Sequence, residues 1–423
     1  MMRRRRSTAI AAVAASGVLL AGCADAETAD GTGDGTVTIS GWHWLEPTRG
    51  ETLWQVFEDI DASLEDVTVE QVPIAYGDTM STLTTQLGGG SGPDIVSMVE
   101  PMFATLVEAD LIEPLDELLP PEEIDGLAEA NSVAEVDGVQ YGYLDETTHY
   151  GLIYNQRLLD EAGVSVPTTW EEFEAAARAV TEQTGQYGFS TRTQSTDPAG
   201  LYNDFRNWVL GFGGEYAENG ELTLDRPENV EALTAIETLY DAGVMPEQTS
   251  ISENRQLFVE GKVAMMLESN GTFATLLQTM LESDPSMEGE AGIAPSPLPT
   301  KETIPINIVF GVNAASENKE EAVAVLREFL TEPVQEEWTH ALAGSTGPLG
   351  LETPQELLDA NPWMVDGQAL EAHTTSQTTP GFESKTSQIS TAVANAVQAV
   401  LVNGEDPKTA LEHAQEEAEA LLE

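Results

Sequence analysis

The sequence predicts an α/β fold arranged as two lobes, and three observations lead to this prediction. Strand-like and helix-like segments alternate along the N-terminal half, which is typical of an α/β lobe with a largely parallel sheet. The 423 residues exceed the length at which a single hydrophobic core stops growing. Prolines cluster at positions 295, 297, 299 and 305, and we interpret this stretch as a crossing between the lobes.

The N-terminus has the composition of a secretion leader. Four arginines at positions 3–6 precede an uncharged apolar stretch over residues 9–21, which is too short for a bilayer because a spanning helix needs roughly 20 apolar residues. The stretch ends in Leu-Ala-Gly-Cys at residues 20–23, which resembles the lipobox of bacterial lipoproteins. The resemblance implies a signal peptide over 1–22, lipid on Cys23 and an extracytoplasmic protein anchored to the cell membrane.

Cys23 is the only cysteine of the chain, and the alternative to a lipid anchor is a buried core thiol. We disfavour that alternative because a residue at this place is removed with the leader or left in a tail. Residues 23–35 are small, acidic and rich in Gly and Thr, as expected of a flexible tether. A single cysteine predicts no internal disulfide and no thiolate metal site, and the sequence indicates no cofactor and no metal.

The acidity of the chain excludes several classes of partner. The formal charge is −56, and removal of the four leader arginines makes the mature value −60. Such a surface repels phosphate polymers, so we predict no nucleic-acid binding. The acidic residues are scattered in short runs, which indicates a solvated surface suited to high salt. After the leader no stretch is long and apolar enough to cross a membrane, so membrane contact is expected only through Cys23.

The N-terminal elements follow from apolar periodicity. Residues 37–40, 67–72 and 94–99 read as strands, and residues 51–64 and 80–87 carry apolar residues at helical spacing. The second helix breaks at the glycine run 88–92. Pro93 interrupts the Gly-x-Gly-x-x-Gly order, which excludes a dinucleotide-binding fingerprint.

In the later part of the sequence, capping residues, glycines and prolines mark where the helices begin and end. Residues 151–155 form a further strand, followed by a helix that ends at Gly163. Thr168 with Glu171 predicts a capping box for the next helix. Another helix begins after residue 225 and ends at Gly243, and Asp406 with the following proline caps a final helix.

Seven segments, taken in order, resemble the family 1 extracellular solute-binding proteins of ABC transporters, which include maltose-binding protein. Their order and spacing carry the resemblance, which runs from residue 37 to residue 415. The segments are Gly92–Val96, Leu152–Asn155, Pro167–Phe173, Phe258–Met266, Pro295–Pro299, Gly311–Lys319 and Gly404–Pro407.

The resemblance implies a type II periplasmic-binding-protein fold, in which ligand lies between two α/β lobes that close about hinge crossings. It places the crossings near residues 145–148, 298–302 and 345–348. Lobe I is then expected over 36–145 and 303–345, and lobe II over 148–298 and 348–423. The family further implies a monomer that takes a small-molecule ligand, a sugar here, to the permease subunits of an ABC transporter.

The candidate site residues of the first lobe follow two strands. Sugar recognition needs flat apolar faces together with planar hydrogen-bonding groups. Trp42, Trp44 and Glu46 supply both after the first strand, where open α/β sheets place ligand loops. Alternation predicts that both indoles face the same side, and the alternative is that one packs in the core. Glu100 follows the third strand, whereas Met98 departs from the sugar-stacking pattern and weakens the case for a long glucan.

Near the first crossing, Thr148 and His149 precede the strand at residues 151–155, where relatives present a polar ligand contact. We favour a hydrogen-bonding or structural role for His149 over a general base or metal ligand, because no second histidine lies near it in sequence.

The second lobe contributes candidates from three places that match the family's contact zones. The candidates are Arg192, Asn203, Arg206 and Trp208 before the glycine pair at 213–214, Asn270, Thr272 and Phe273 after the strand near 265, and Phe382 near the penultimate helix. Arg192 and Arg206 are expected to bind a pair of hydroxyls or a carboxylate of the ligand. The alternative is that they form ion pairs at the surface. Phe273 is the preferred stacking residue. We assign Trp54, Trp170 and Trp338 to the core because they lie on apolar helix faces.

These expectations combine into a lipid-tethered protein that captures a sugar or oligosaccharide and delivers it to an ABC permease. The alternatives are a surface-anchored carbohydrate hydrolase and a binder of a non-sugar solute such as glycerol phosphate or polyamine. We predict that the chain is not an enzyme, since it carries no Gly-x-Ser-x-Gly, His-Glu-x-x-His or phosphate-loop motif. With 73 acidic residues, the presence of some carboxylate pair carries no information about hydrolysis.

Overall fold

The described chain is organised around one curled sheet with helices on both faces. A computed structural model describes residues 35–45, 49–124, 127, 129–194, 198–342, 345 and 347–422. The predicted leader, the tether up to residue 34, Cys23 and Glu46 lie outside the described residues. Within them, no helix is both long enough and apolar enough to cross a membrane.

The strands are β1 Thr36–Gly41, β2 Thr68–Pro73, β3 Ile95–Val99, β4 Glu135–Val136, β5 Val139–Gln140, β6 Gly142–Asn155, β7 Ala217–Glu218, β8 Glu221–Leu222, β9 Met265–Ser269, β10 Ala291–Ala294 and β11 Pro305–Val312. The helices are α1 Arg49–Ser63, α2 Tyr76–Gly88, α3 Glu100–Glu108, α4 Pro121–Ile124, α5 Gln156–Ala162, α6 Trp170–Thr184, α7 Pro198–Gly211, α8 Pro227–Asp241, α9 Ile251–Val259, α10 Asn270–Ser283, α11 Lys319–Phe329, α12 Glu332–Leu342, α13 Gln355–Ala360, α14 Trp363–Gln368, α15 Thr386–Asn403 and α16 Pro407–Leu422.

The main sheet has the order β10-β6-β11-β3-β1-β2, and β9 also pairs with β6. Strand β1 runs parallel to β2 and β3, whereas β11 runs antiparallel to both β3 and β6. The predicted parallel pairing therefore holds for the three N-terminal strands. It fails for β11 and β6, which enter the sheet in the opposite direction.

Strand β6 links two parts of the molecule. Its first half, up to His149, pairs with β11, and its second half, from Tyr150, pairs with β9 and β10. A continuous strand of 14 residues thus passes from one sheet region into the other, at the place where the sequence predicts the first crossing.

Among the described residues, four of the five clusters of buried apolar side chains fall into two groups, which we call lobe I and lobe II. The fifth, Tyr150 with Leu210 and Ile304, is separate from both. The clusters of lobe I take their members from residues 37–143 and 306–342. Those of lobe II take theirs from residues 152–298 and 363–422. Each lobe is therefore built from two separated chain segments, and the predicted core residues Trp54 and Trp338 lie in lobe I while Trp170 packs against lobe II.

Local capping signals can be traced at the N-termini of α6 and α16. The N-cap of α6 is Thr169 rather than Thr168, because its side chain accepts a hydrogen bond from the backbone N–H of Glu172. The carboxylate of Glu172 in turn accepts from the backbone and hydroxyl of Thr168 at 2.9 Å each. The predicted capping box is therefore not formed, because Glu172 reaches back to Thr168 and not to the backbone N–H of the N-cap Thr169. Asp406 caps α16 as predicted, through the backbone N–H of Thr409.

Candidate functional site

A cavity of about 370 Å³ lies where the two lobes meet the crossing strands. Residues of lobe I, of β6 and β11, and of lobe II all contribute to its wall. They are Trp42, His43, Arg49, Tyr76, Val99, Glu146, Thr148, Tyr150, Ile306 and Ile308, with Arg192, Asn203, Ile251, Ser252, Arg255, Glu268, Ser269, Gly271, Thr272, Thr275 and Leu276 opposite. A larger open groove of about 1170 Å³ lies between α1 and α12, but among the described residues neither crossing strand contributes to it.

The wall supplied by lobe I is mainly aromatic and apolar. Trp42 follows β1 and Tyr76 opens α2, and their rings meet edge to face with centroids 5.2 Å apart. The Trp42 ring also packs at 4.6 Å from the ring of His43. Because both aromatic residues stand next to the carboxyl ends of parallel strands, the sheet itself sets their position. This wall offers flat apolar surface to a ligand.

The floor of the cavity is made by β6 and β11, which pair side by side in the main sheet. Glu146, Thr148 and Tyr150 alternate along β6, and Ile306 and Ile308 alternate along β11. Residues two apart in a strand point to the same face, which brings all five side chains to the cavity.

Three ion pairs bound the cavity. The first joins Nη2 of Arg49 to Oε2 of Glu146 at 2.7 Å, with both side chains largely buried. The second, in lobe II, joins Nε of Arg255 to Oε2 of Glu268 at 2.9 Å. Arg255 also donates from Nη2 to the hydroxyl of Thr272 at 3.3 Å.

The third pair also belongs to the lobe II wall. Nε of Arg192 is 3.7 Å from Oδ2 of Asp204, and both side chains are buried. The same carboxylate accepts from the hydroxyl of Thr191 at 3.0 Å and from the backbone of Arg192 at 3.2 Å. Burial raises the pKa of Asp204, and the charge of Arg192 works against that rise.

The concentration of arginine here is unusual for this chain. Removal of the leader leaves 13 of the 17 cationic residues, and Arg49, Arg192 and Arg255 all line this one cavity. Each guanidinium has a carboxylate partner, so the cavity wall has no large net charge. Guanidinium donors beside carboxylate acceptors present the planar groups that bind neighbouring hydroxyls.

A buried histidine–aspartate pair supports the lobe I wall. Nε2 of His43 lies 3.3 Å from Oδ2 of Asp145, and both side chains are 1% exposed. Ser97 donates to the same carboxylate oxygen at 3.2 Å. Burial raises the pKa of Asp145, while its contact with His43 opposes the rise.

A glycine allows lobe II to approach the crossing strand. Gly271 lies in the first turn of α10, and a Cβ added there would stand 2.7 Å from Cγ2 of Thr148. That separation is shorter than any ordinary carbon contact, so a larger residue requires α10 to move away from β6. The N-terminus of α10 is capped by Ser269, which accepts from the backbone of Thr272.

Of the site residues predicted from sequence, five line this cavity: Trp42, Thr148, Arg192, Asn203 and Thr272. Glu46 lies outside the described residues. Sequence reasoning missed Arg49, Tyr76, Glu146, Arg255 and Glu268. The available signal was the scarcity of cationic residues. In a chain with so few arginines, each arginine is a candidate for a specific role.

The structure places Trp44 in the core of lobe I rather than on the cavity wall. Its ring packs edge to face on Trp54 and Phe57, and its Nε1 donates to the backbone oxygen of Ile39 at 3.2 Å. Residues 43–45 form a short 3₁₀ helix, in which side chains no longer alternate between two faces. The expectation that both indoles face the same side is therefore wrong.

Four lobe II candidates lie away from the cavity. Trp208 and Phe273 are fully buried in the apolar clusters of lobe II, and Phe273 packs edge to face on Trp363. Arg206 is fully buried, pairs with Glu215 and donates to the backbone oxygen of Ser376. Phe382 packs against the lobe II cluster. Helices α7 and α10 pack these faces against the protein interior.

Glu100, His149 and Asn270 belong to the region of the crossings. Glu100 accepts from the side-chain amide of Asn307 at 2.7 Å, and burial raises the pKa of its carboxyl. The backbone N–H of His149 donates to Oδ1 of Asn270 at 2.9 Å. His149 follows Thr148 on β6 and so points to the opposite face. Burial lowers the pKa of its imidazole to about 4.

Residues 46–336 match the family model described as bacterial extracellular solute-binding protein. The chain belongs to this family. A binding protein of Brucella abortus is 25% identical over 385 residues, which cover 86% of this chain and 89% of that protein. The arabinooligosaccharide-binding protein of Halalkalibacterium halodurans is 28% identical over 230 residues, or 51% of this chain and 49% of that protein.

The fold of this solute-binding protein also matches solved structures. An ABC transporter solute-binding protein of Thermotoga lettingae, bound with α-D-tagatose, superposes with a TM-score of 0.79 at 20% identity. The match covers 92% of this chain and all of that one. The α/β chain thus has the two-lobed periplasmic-binding-protein fold, and its family consists of extracellular binding proteins.

Proposed function

We propose that this solute-binding protein captures a sugar or oligosaccharide in the cavity between its lobes. The observation that carries the proposal is a cavity that combines the aromatic Trp42 and Tyr76 of lobe I with three arginine–carboxylate pairs, one from lobe I and two from lobe II. Buried hydroxyls need both donors and acceptors, and sugar rings need flat apolar contact. The names of the arabinooligosaccharide-binding relative and of the tagatose complex support the same ligand class.

The ion pairing favours a neutral ligand over the charged alternatives. A phosphate ester is bound best by unpaired cations, whereas each cavity arginine already has a carboxylate partner. A polyamine is bound best by unpaired carboxylates, which the same pairs remove. For hydrolysis, a general acid and a second carboxylate must flank one bond, and here the cavity carboxylates Glu146 and Glu268 are both held by arginines. The chain is therefore proposed to bind and not to cleave.

Closure of the lobes about the crossings is the proposed means of capture. We assign residues 36–145 and 303–345 to lobe I and residues 148–298 and 348–423 to lobe II. The separation of the apolar clusters at residues 143, 152, 298 and 306 supports these boundaries. Since Arg49 comes from lobe I while Arg192 and Arg255 come from lobe II, a ligand that contacts all three holds the lobes together.

Delivery to a membrane partner completes the proposal. We infer that a monomer, tethered by lipid on Cys23, hands its ligand to the permease subunits of an ABC transporter, because a tether raises the effective concentration at the membrane. The variant Cys23→Ser should move from the membrane fraction to the soluble fraction with its ligand affinity unchanged. A variant that stays with the membrane, or that loses affinity on release, contradicts this role of Cys23.

A thermal-shift screen followed by calorimetry tests the ligand class. The panel holds sugars, polyols, amino acids, polyamines and phosphate esters, each in excess, because a ligand that binds the folded state raises the unfolding temperature. We expect a shift with at least one sugar and no turnover of that sugar after long incubation. A clear shift with another class and none with any sugar refutes the proposal, and cleavage of the sugar replaces binding by hydrolysis.

A further inference from the structure

A second chamber of about 510 Å³ lies beside the ion-paired cavity. Arg49 and Thr275 line both spaces, so the two adjoin at these residues. The remaining wall of the second chamber is Thr52, Ala274, Leu277, Gln278, Leu281, Glu282, Ala341, Leu357, Asn361, Trp363 and Met364. Lobe I supplies Thr52 and Ala341, and lobe II supplies α10, so this chamber also lies between the lobes.

One helix forms the common side of both chambers. Residues Gly271 and Thr272 in the first turn of α10 face the first cavity, whereas Leu277 and Leu281 face the second. At a rise of about 1.5 Å per residue, the wall from Gly271 to Leu281 is about 15 Å long. The two chambers therefore lie one after the other along α10.

The second chamber has an apolar floor and a polar rim. Leu277, Leu281 and Trp363 are half-buried, because one side of each packs on the lobe II core while each also lines the chamber. Thr52 and Gln278 are exposed at its edge. Apolar floor and polar edge together match a sugar ring, which has an apolar face and a rim of hydroxyls. The arginine–carboxylate pairs, in contrast, surround the first cavity.

The volumes of the two chambers suit separate parts of one ligand. Small-molecule sites commonly measure about 300–1,000 Å³, so the first cavity, at about 370 Å³, is at the small end of that range. The second chamber alone is larger than the first. If the ligand occupied only the first cavity, Leu277 and Leu281 in the second chamber would remain exposed to water.

Resting on the proposed function, we propose that the ligand is an oligosaccharide rather than a monosaccharide. One terminal sugar is held in the ion-paired cavity, and the next one or two units lie along α10 on Leu277, Leu281 and Trp363. The ligand passes Arg49 and Thr275, which lie where the chambers join.

Calorimetry on two sugar series tests this assignment. The probes are glucose, maltose and maltotriose, arabinose with its di- and trisaccharide, and phenyl glucoside. In the better-binding series, the di- or trisaccharide should bind at least about tenfold tighter than the monosaccharide. Leu281→Gln and Leu277→Gln should each remove about tenfold of the oligosaccharide affinity, as expected when a leucine loses its contact with a ligand. Both should leave monosaccharide affinity within about twofold.

Controls separate the possible failures. Leu421→Gln, at an exposed leucine of α16, should change nothing, and Trp363→Phe should keep most of the oligosaccharide gain. Equal binding of mono- and oligosaccharides, or variants without effect, overturns the second chamber while the sugar-binding function stands. Phenyl glucoside is compared with glucose in the same way as the disaccharide. If its gain in affinity equals that of the disaccharide, and the trisaccharide binds no tighter than the disaccharide, the second chamber binds an apolar aglycone and not further sugar units. Failure of every sugar to bind overturns the proposed function itself.

Discussion

The two walls of the cavity are built from different chemistry. The lobe I wall presents Trp42 and Tyr76, held against each other edge to face. The lobe II wall presents Arg192 and Arg255, each fixed by a buried carboxylate. Apolar contact depends little on direction, whereas paired donors and acceptors depend strongly on it. Under the proposed function, the comparison assigns general sugar affinity to Trp42 and Tyr76 of lobe I and discrimination between hydroxyl arrangements to the paired Arg192 and Arg255 of lobe II.

The difference between the walls has a local origin. The aromatic residues of lobe I stand at the ends of parallel strands, so the sheet holds them without help from charges. On lobe II, α9 contributes Arg255, β9 contributes Glu268 and the N-terminus of α10 contributes Thr272. Hydrogen bonds between these three residues fix the guanidinium before any ligand arrives. A preorganised donor set loses little entropy on binding.

The largest expected effect comes from breaking the lobe II wall. Arg255→Ala removes the guanidinium and leaves Glu268, which is 2% exposed, without its cation. Hydrogen bonds to charged groups contribute about 1.5–3 kcal/mol each, so we expect sugar affinity to fall about 100-fold. The order of preference among epimeric sugars should change as well. Isothermal titration calorimetry with a set of epimers measures both.

A matched arginine controls for the loss of one charge. Arg226 is 30% exposed against 34% for Arg255, and it too contacts carboxylates, those of Glu218 and Glu228. It lies outside both chambers. Arg226→Ala should therefore leave affinity unchanged. If the two variants behave alike, or if Arg255→Ala keeps its affinity within about twofold, the wall assigned to lobe II is not the recognising one.

The second prediction concerns His149, which lies on the face of β6 opposite to the cavity floor. His149 is only 5% exposed and lies behind Thr148. Neither of its ring nitrogens has a hydrogen-bond partner among the described residues. Burial lowers the pKa of its imidazole from 6.5 to about 4. Between these values the unfolded chain binds a proton that the folded chain does not, so stability falls as pH falls through this window. At pH 5 the loss is about 2 kcal/mol relative to pH 7.5.

Replacing His149 by leucine removes this titration. We expect the difference in unfolding free energy between wild type and His149→Leu to grow in favour of the variant from pH 7 to pH 5, measured by urea unfolding. Comparing the two proteins at each pH cancels the other titrating groups, such as Asp145 and Asp204, whose pKa values burial raises. Ligand affinity at pH 7.5 should not change. If the stability difference between wild type and His149→Leu is the same at every pH, His149 is not buried as an uncharged imidazole. If His149→Leu loses ligand affinity, the side chain of His149 is part of the binding site and not behind it.

The sequence predicted the elements better than the site, for a physical reason. The N-terminal strands and helices follow from apolar spacing within about fifteen residues, and the parallel pairing of β1 with β2 and β3 is confirmed. Trp42 is positioned by the end of β1, which the sequence marks. Thr148 lies in the middle of β6, which begins at Gly142 and not at residue 151 as the sequence predicts. Whether Phe273 faces the cleft or the core depends on how α10 packs. Arg192 and Arg255, 63 positions apart, are brought to one wall only by tertiary folding.

The smallest of these effects concerns the lobe I wall and tests the comparison from the other side. Trp42→Ala removes apolar surface but no charge, and aromatic contacts contribute about 0.5–1.5 kcal/mol beyond area burial, so affinity should fall about tenfold. All sugars that bind should weaken by a similar factor, because the indole does not select hydroxyl positions. Trp42→Phe should recover most of the loss. Calorimetry with the same epimers decides the matter: if Trp42→Ala reorders their affinities as Arg255→Ala does, discrimination is shared between the lobes and the division of labour proposed for the two walls is wrong.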